Sequence, residues 1–235
     1  MRSLGIVLVF ILAFTSYSQA QSFNQLDDSG RKEGKWVKYF DNRKMKYEGQ
    51  FRNDMPFGKF IHYYNTGDVK AIVVFSDDGI IGRSTTYYKN GKLMAEGKFI
   101  NEQKDSVWRY YLNEATNPLI STETYVNGEL HGESITYYTE TGDPAEIVVY
   151  EDGRKNGKLI KYFPDGILMT ESYYKNGVPD GDFKHYHPDG KIQILGSYKN
   201  GLQLGNWKYY DESGKQVDEE EFLKQEEVKE INEAP

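Results

Sequence analysis

The sequence predicts an all-β protein: an elongated array of antiparallel β-hairpins forming an open twisted sheet, with a short C-terminal helix as an optional last element. Three observations carry that prediction. Tyrosine and glycine are abundant, at 20 and 23 of 235 residues, while the hydrophobic fraction is 38%. That composition suits short strands and tight turns better than packed helices. Glycines also recur at an almost constant spacing, and a tyrosine follows each position at a fixed distance.

The chain opens with Arg2, an apolar run of 11 residues from Leu4 to Phe14, and the small-residue pattern Ser18-Gln19-Ala20. This is the layout of a signal peptide, with cleavage expected after Ala20. The apolar run is shorter than the roughly 20 residues a membrane helix needs. The expectation is therefore an exported protein, periplasmic or extracellular, with no stable membrane insertion once residues 1–20 are removed. Residues 21–33 are polar and read as a lead-in segment.

The repeat occupies 34–217. Its units start at Gly34, Gly58, Gly82, Ser106, Gly132, Gly157, Gly181 and Gly205. With that residue as position zero, position five is tyrosine in all eight units: Tyr39, Tyr63, Tyr87, Tyr111, Tyr137, Tyr162, Tyr186 and Tyr210. Position two carries all three tryptophans, Trp36, Trp108 and Trp207, with Phe60, Leu159 and Phe183 in equivalent places. Position seventeen is a second aromatic column, Phe51, Phe75, Phe99, Tyr174, Tyr198 and Phe222. Tyr125 and Tyr150 join it once short insertions in units four and five are allowed for.

The two columns lie half a repeat apart, so each unit holds two strand-plus-turn segments. One turn falls at pairs such as Thr66-Gly67 and Asn90-Gly91. The other closes the unit at Asp78-Gly79, Asn127-Gly128, Asp152-Gly153, Asn176-Gly177 and Asn200-Gly201. Asn-Gly and Asp-Gly accept the positive φ of tight hairpin turns. Alternation along the strand places Phe60, His62 and Tyr64 on one face and Ile61 and Tyr63 on the other, so aromatic side chains line both faces. About sixteen strands at ~4.8 Å each would extend on the order of 75 Å in an open ribbon. A closed barrel is the competing geometry. Residues 218–235 abandon the repeat and are rich in helix formers. They read either as a helix capping the last strand edge or as a loose acidic tail.

The recurring Gly-x-Trp/Phe-x-x-Tyr-Tyr/Phe, then Asn/Asp-Gly-Lys, then Glu-x-x-Tyr-x-Asn-Gly resembles the MORN repeat variant. It is similar to the bacterial YwqK-type antitoxin-like proteins. Gly58-Lys59-Phe60-Ile61-His62-Tyr63-Tyr64 and Tyr198-Lys199-Asn200-Gly201 show it well. The resemblance runs from residue 34 to about 222. It implies an elongated hairpin array used for protein contacts and, through the antitoxin label, a toxin as partner.

Several function classes are disfavoured. The net charge of −7 argues against nucleic acid and anionic membranes, which select basic patches. Zero cysteines remove disulfides, thiolate metal sites and Cys nucleophiles. His185 and His187 would face the same way on a strand, but a zinc site needs a third ligand and nothing fixes Asp182 or Asp189 there. His187 also occupies the place of Tyr64 and Phe163, as a variant at a repeat position. The carboxylates Glu48, Glu96, Glu146, Glu171 and Glu219 recur fourteen residues after position zero. A repeated carboxylate is the wrong pattern for catalysis, which needs one unlike pair, and pairing with lysine across strands is the expectation. No phosphate loop, nucleophile elbow or metalloprotease motif is present. Neither enzymatic activity nor a cofactor nor a metal is expected.

The leading reading is thus a non-enzymatic protein-interaction scaffold, with the eight tyrosines and three tryptophans as candidate contact surface. The alternatives are neutralisation of a toxin partner and binding of envelope carbohydrate by stacked aromatics. The partner's identity and the oligomeric state stay open.

Overall fold

The structure is a computed structural model that describes residues 22–233, with side chains through 227. The expected signal peptide, 1–20, lies outside the described residues. Seventeen strands follow one another: β1 (Gln25–Leu26), β2 (Lys32–Tyr39), β3 (Met45–Arg52), β4 (Met55–Tyr63), β5 (Val69–Phe75) and β6 (Ile81–Tyr87). Next come β7 (Leu93–Ile100), β8 (Gln103–Tyr111), β9 (Leu119–Val126), β10 (Glu129–Tyr137), β11 (Pro144–Glu151) and β12 (Arg154–Tyr162). The series ends with β13 (Leu168–Lys175), β14 (Val178–Tyr186), β15 (Ile192–Lys199), β16 (Leu202–Tyr210) and β17 (Gln216–Val217), and helix α1 (Glu219–Glu233) follows. Each strand pairs antiparallel with the next, so the chain is one continuous meander with β1 and β17 at its two edges. The sheet is open, as expected.

Turn chemistry sets the register. Six of the closing connections are two-residue turns with positive φ at both residues: Asn53-Asp54, Asn101-Glu102, Asn127-Gly128, Asp152-Gly153, Asn176-Gly177 and Asn200-Gly201. That geometry matches the right-handed strand twist, and Asn, Asp and Gly tolerate it best. The first two pairs lack glycine at the second place. Asp78-Gly79 is a different case. Here Phe75 pairs with Gly82, and the connection is the longer loop Ser76–Ile80, closed by the Ser76 N–H on the Ile81 carbonyl at 2.8 Å.

Position zero is a bulge. In β4 it is Gly58, with φ of 64°, where the pairing with β3 slips between Glu48 and Gln50. An L-residue with a side chain is strained at that φ, which explains the glycine periodicity. Ser106 adopts the same conformation, with φ of 61°, and its hydroxyl donates to Asp105. Unit three is the exception: Gly82 is extended and the β5–β6 ladder runs without a slip.

Among the described residues no side chain is fully buried, as a single-layer sheet without an opposing layer requires. The edges are closed locally. Asn24 donates its N–H to the Lys35 carbonyl at 2.9 Å and accepts the Val37 N–H on its side chain at 2.9 Å. At the other end α1 is a helix, capped by Asp218, whose carboxylate accepts the Glu221 N–H at 2.8 Å. Phe222 lies over Tyr209 with ring centroids 5.1 Å apart and packs with Val217, so α1 shields the two-residue edge strand.

Candidate functional site

Strand alternation sorts the candidate residues onto opposite faces. Trp36, Trp108 and Trp207 lie with the position-seventeen rings on one side, the ring face. The eight position-five tyrosines lie on the other, the hydroxyl face.

On the ring face the aromatics pack edge to face along the array. Trp36 meets Phe51 at 5.9 Å, Phe51 meets Phe60 at 5.2 Å, Phe60 meets Phe75 at 5.2 Å and Phe75 meets Phe99 at 5.7 Å. A second group joins Phe183, Tyr198 and Trp207, with Tyr198 and Trp207 at 4.9 Å. A size rule governs three of the crossings, whereas Leu159 lies across from Val148 and Phe183 from Ser172. The position-two ring lies flat over a residue eleven places earlier, and that residue is glycine beneath Phe60 (Gly49), Trp108 (Gly97) and Trp207 (Gly196). A Cβ on any of these glycines would come within 2.3 Å of the ring. Where position two is the small Ser84, its partner is the buried Val73.

The tryptophans are engaged by this packing. Trp108 is 7% exposed and donates its indole N–H to the Lys98 carbonyl at 2.7 Å. Trp36 reaches the Gln25 and Glu33 carbonyls at 3.2 Å each. Trp207 Nε1 is buried without an acceptor. Lysines two residues before position zero lie over these rings: Lys32 over Phe51, Lys104 over Tyr125 and Lys155 over Tyr174, at 4.6, 4.7 and 5.2 Å.

On the hydroxyl face four of the tyrosines are tied to the preceding unit. Tyr63 donates to Glu48 at 2.6 Å, Tyr111 to Glu96 at 3.0 Å and Tyr186 to Glu171 at 3.5 Å, each partner fifteen residues earlier. Tyr137 lies 3.3 Å from the Thr122 hydroxyl. Burial, and then the Glu48 carboxylate, push the Tyr63 phenol up to about 12. The same causes raise Tyr111 beside Glu96. Three of the eight tyrosines are thus held by hydroxyl-to-carboxylate bonds and a fourth by a threonine hydroxyl.

The carboxylate column divides. Glu171 pairs with Lys158 and Lys184, and the Lys158 ammonium holds its carboxyl below the usual range. Glu48 and Glu96 take tyrosine hydroxyls instead. Glu146 sits opposite Lys161 on the ring face, because the one-residue insertion in unit five has turned it over.

Position six links successive units, a role that periodicity alone does not disclose. Tyr64, Tyr88 and Tyr138 donate their hydroxyls to the carbonyls of Tyr87, Tyr111 and Tyr162, at 2.7, 2.8 and 2.6 Å. Each is the position-five tyrosine of the following unit. His187 does the same through Nε2 to the Tyr210 carbonyl at 3.0 Å. His185 is bonded through Nδ1 to Thr170 at 2.9 Å. Among the described residues no three His, Asp or Glu side chains are grouped to hold a metal.

The hydroxyl face also exposes aliphatic residues between its tyrosines. Val74 is 50% exposed, Val107 41% and Leu204 56%, and Tyr39 is itself 53% exposed. Among the described residues no helix is long and apolar enough to cross a membrane.

Three segments match the family model of the MORN repeat variant: residues 81–101, 155–176 and 179–200. Each is one hairpin, running through β6–β7, β12–β13 and β14–β15. No curated protein matches the chain. Among solved structures, a complex of TcdB2, TccC3 and Cdc42 is similar over 79% of this chain and 12% of that chain, at 12% identity and a TM-score of 0.22. Likeness at that level bears on neither fold nor function.

Proposed function

Because the chain carries MORN-variant repeats, we propose that it is an exported, non-enzymatic scaffold that binds another protein through its hydroxyl face. One observation supports this reading above the others. A row of tyrosines at fixed spacing, several with anchored hydroxyls, alternates on that face with exposed Val74, Val107 and Leu204. Anchored rings lose little side-chain freedom on binding, and Tyr beside polar groups is typical of contact hot spots. The tryptophans contribute from behind, by fixing the strands that present the tyrosines. Export rests on the Arg2, Leu4–Phe14 and Ser18-Gln19-Ala20 pattern.

The test is a photocrosslinking residue placed at Tyr39 or Val107, with Tyr47 on the ring face as control, in cells expressing the full chain. Discrete adducts identified by mass spectrometry should form from Tyr39 and Val107 and not from Tyr47. Adducts from neither position, or chiefly from Tyr47, would reject the hydroxyl face as the interface. A toxin as the crosslinked partner would make the scaffold a neutraliser. N-terminal sequencing of the exported protein should begin at Gln21.

A further inference from the structure

The one irregular connection on the closing-turn side opens a cleft of about 540 Å³ at the rim of the ring face. Its apolar lining is Met55, Pro56, Phe75, Ile80 and Phe99, and Met55 and Ile80 are 44% and 39% exposed. Asp54 and Glu102 also line it, and the exposed Asp77 and Asp78 belong to the adjoining loop Ser76–Ile80. The cleft exists because unit three departs from the rest. The loop Ser76–Ile80 replaces a two-residue turn, and Gly79 lets it approach the Pro56 carbonyl, where a Cβ would come to 2.7 Å.

The array itself indicates what such a place accepts. In units one, four and six the residue two before position zero is a lysine whose ammonium covers the position-seventeen ring: Lys32 on Phe51, Lys104 on Tyr125, Lys155 on Tyr174. The equivalent of Lys104 and Lys155 in unit two is Pro56, paired with Phe51 as Lys104 is paired with Phe99. Phe75 therefore has no such cation over it, while Asp54 and Glu102 make the lining acidic. Neighbouring cations are engaged elsewhere, with Lys32 over Phe51 and Arg52 over Phe57 at 4.5 Å.

We propose that this cleft is a docking site for a basic segment of a partner protein, with an apolar side chain seated against Met55, Ile80 and Phe99 and an adjacent Lys or Arg over Phe75, facing Asp54 and Glu102. The proposal rests on the reading of the chain as a protein-binding scaffold, but not on the tyrosine face. An apolar anchor in a pocket, flanked by complementary charge, gives both affinity and orientation.

The test follows the Met55 and Ile80 methyl resonances of the full chain by NMR while an acetylated, amidated Gly-Lys-Leu-Lys-Gly peptide is added. The resonances should shift saturably, with weaker binding as salt rises. Gly-Glu-Leu-Glu-Gly and Gly-Lys-Gly-Lys-Gly should leave them in place. P56K supplies in cis the lysine that stands at 104 and 155, and it should lower affinity about tenfold by filling the site. The pair D54N and E102Q keeps the turn's hydrogen-bonding groups and should weaken binding several-fold while flattening its salt dependence. No shift in the wild-type chain, equal binding by Gly-Lys-Gly-Lys-Gly, or undiminished binding by D54N/E102Q would each overturn the proposal. If the Tyr39 and Val107 crosslinks form while the peptide fails to bind, the cleft falls and the scaffold stands. If the peptide binds while those crosslinks fail, the tyrosine face falls instead.

Discussion

Valine in place of Gly97 tests the size rule of the ring face. The glycine lies beneath Trp108, and an added Cβ would come within 2.3 Å of Cδ2 and 2.5 Å of Cγ and Cε2. The obstruction is the fused centre of the indole, not the flexible end of a side chain, so the whole ring must move. Displacement would also stretch the 2.7 Å bond from Nε1 to the Lys98 carbonyl. Overpacking costs about 1–3 kcal/mol, and a lost hydrogen bond adds roughly 0.5–1.5 kcal/mol. G97V should thus cost about 2–4 kcal/mol. W108S alone should cost about 3–5 kcal/mol through the cavity it leaves. The double variant recreates the combination already used by Val73 and Ser84, both buried. Its cost should fall below the sum by about 2 kcal/mol or more, a coupling expected only of residues in direct contact. Urea unfolding of all four proteins, backed by hydrogen exchange of β7 and β8, measures the cycle. Additive costs, or a G97V protein as stable as the parent, would refute the size rule.

Y64F removes the hydroxyl that reaches the Tyr87 carbonyl and should cost about 0.5–1.5 kcal/mol in urea unfolding; no loss would remove position six as a link between units. W108F should cost about 1 kcal/mol by freeing the Lys98 carbonyl, whereas W207F should cost less, because Trp207 Nε1 has no acceptor to lose. The Tyr63 phenol is raised from 10.0 to about 12 in the fold, so the folded state keeps its proton longer than the unfolded chain. Its contribution to stability is complete below pH 10 and is lost as pH rises through about 12. Ultraviolet titration should show one phenolate fewer in the late-titrating group in Y63F than in the parent; an unchanged late group would contradict the burial and the Glu48 bond as causes.

The hairpin frame was legible because its chemistry is local. Tyrosine at position five and Asn-Gly or Asp-Gly at the turns can be counted along the chain without knowing what touches what. Asn53-Asp54 and Asn101-Glu102 escape a search keyed on glycine, although their backbones turn in the same way. Asp78-Gly79 misleads in the opposite direction, since the pair sits in a longer loop. Faces are harder to read, because a single inserted residue reverses them, as Glu146 demonstrates. The match of Gly97 to Trp108 was present in the sequence too, but it becomes visible only once the bulge fixes which residues lie across from each other. The cleft at Phe75 was illegible for a stronger reason: it arises where the repeat fails, and periodicity describes only what recurs.

The links at position six point one way along the chain. Tyr64, Tyr88, Tyr138 and His187 each satisfy a carbonyl of the unit that follows. Unit eight is followed by α1 rather than by another hairpin, and its position six is Asp211, whose carboxylate turns inward to accept the Lys215 N–H and the Ser213 hydroxyl. The array thus has a grammar, in which a unit with a donor at position six reaches forward to the next and unit eight carries punctuation. Lengthening by duplication would be tolerated best after a unit with a donor at position six, Tyr64, Tyr88, Tyr138 or His187, whereas Phe40, Leu112 and Phe163 offer the following hairpin none. Truncation just after an interior tyrosine would leave a sentence without its stop: a phenol with no carbonyl to meet, and an edge strand with no helix over it.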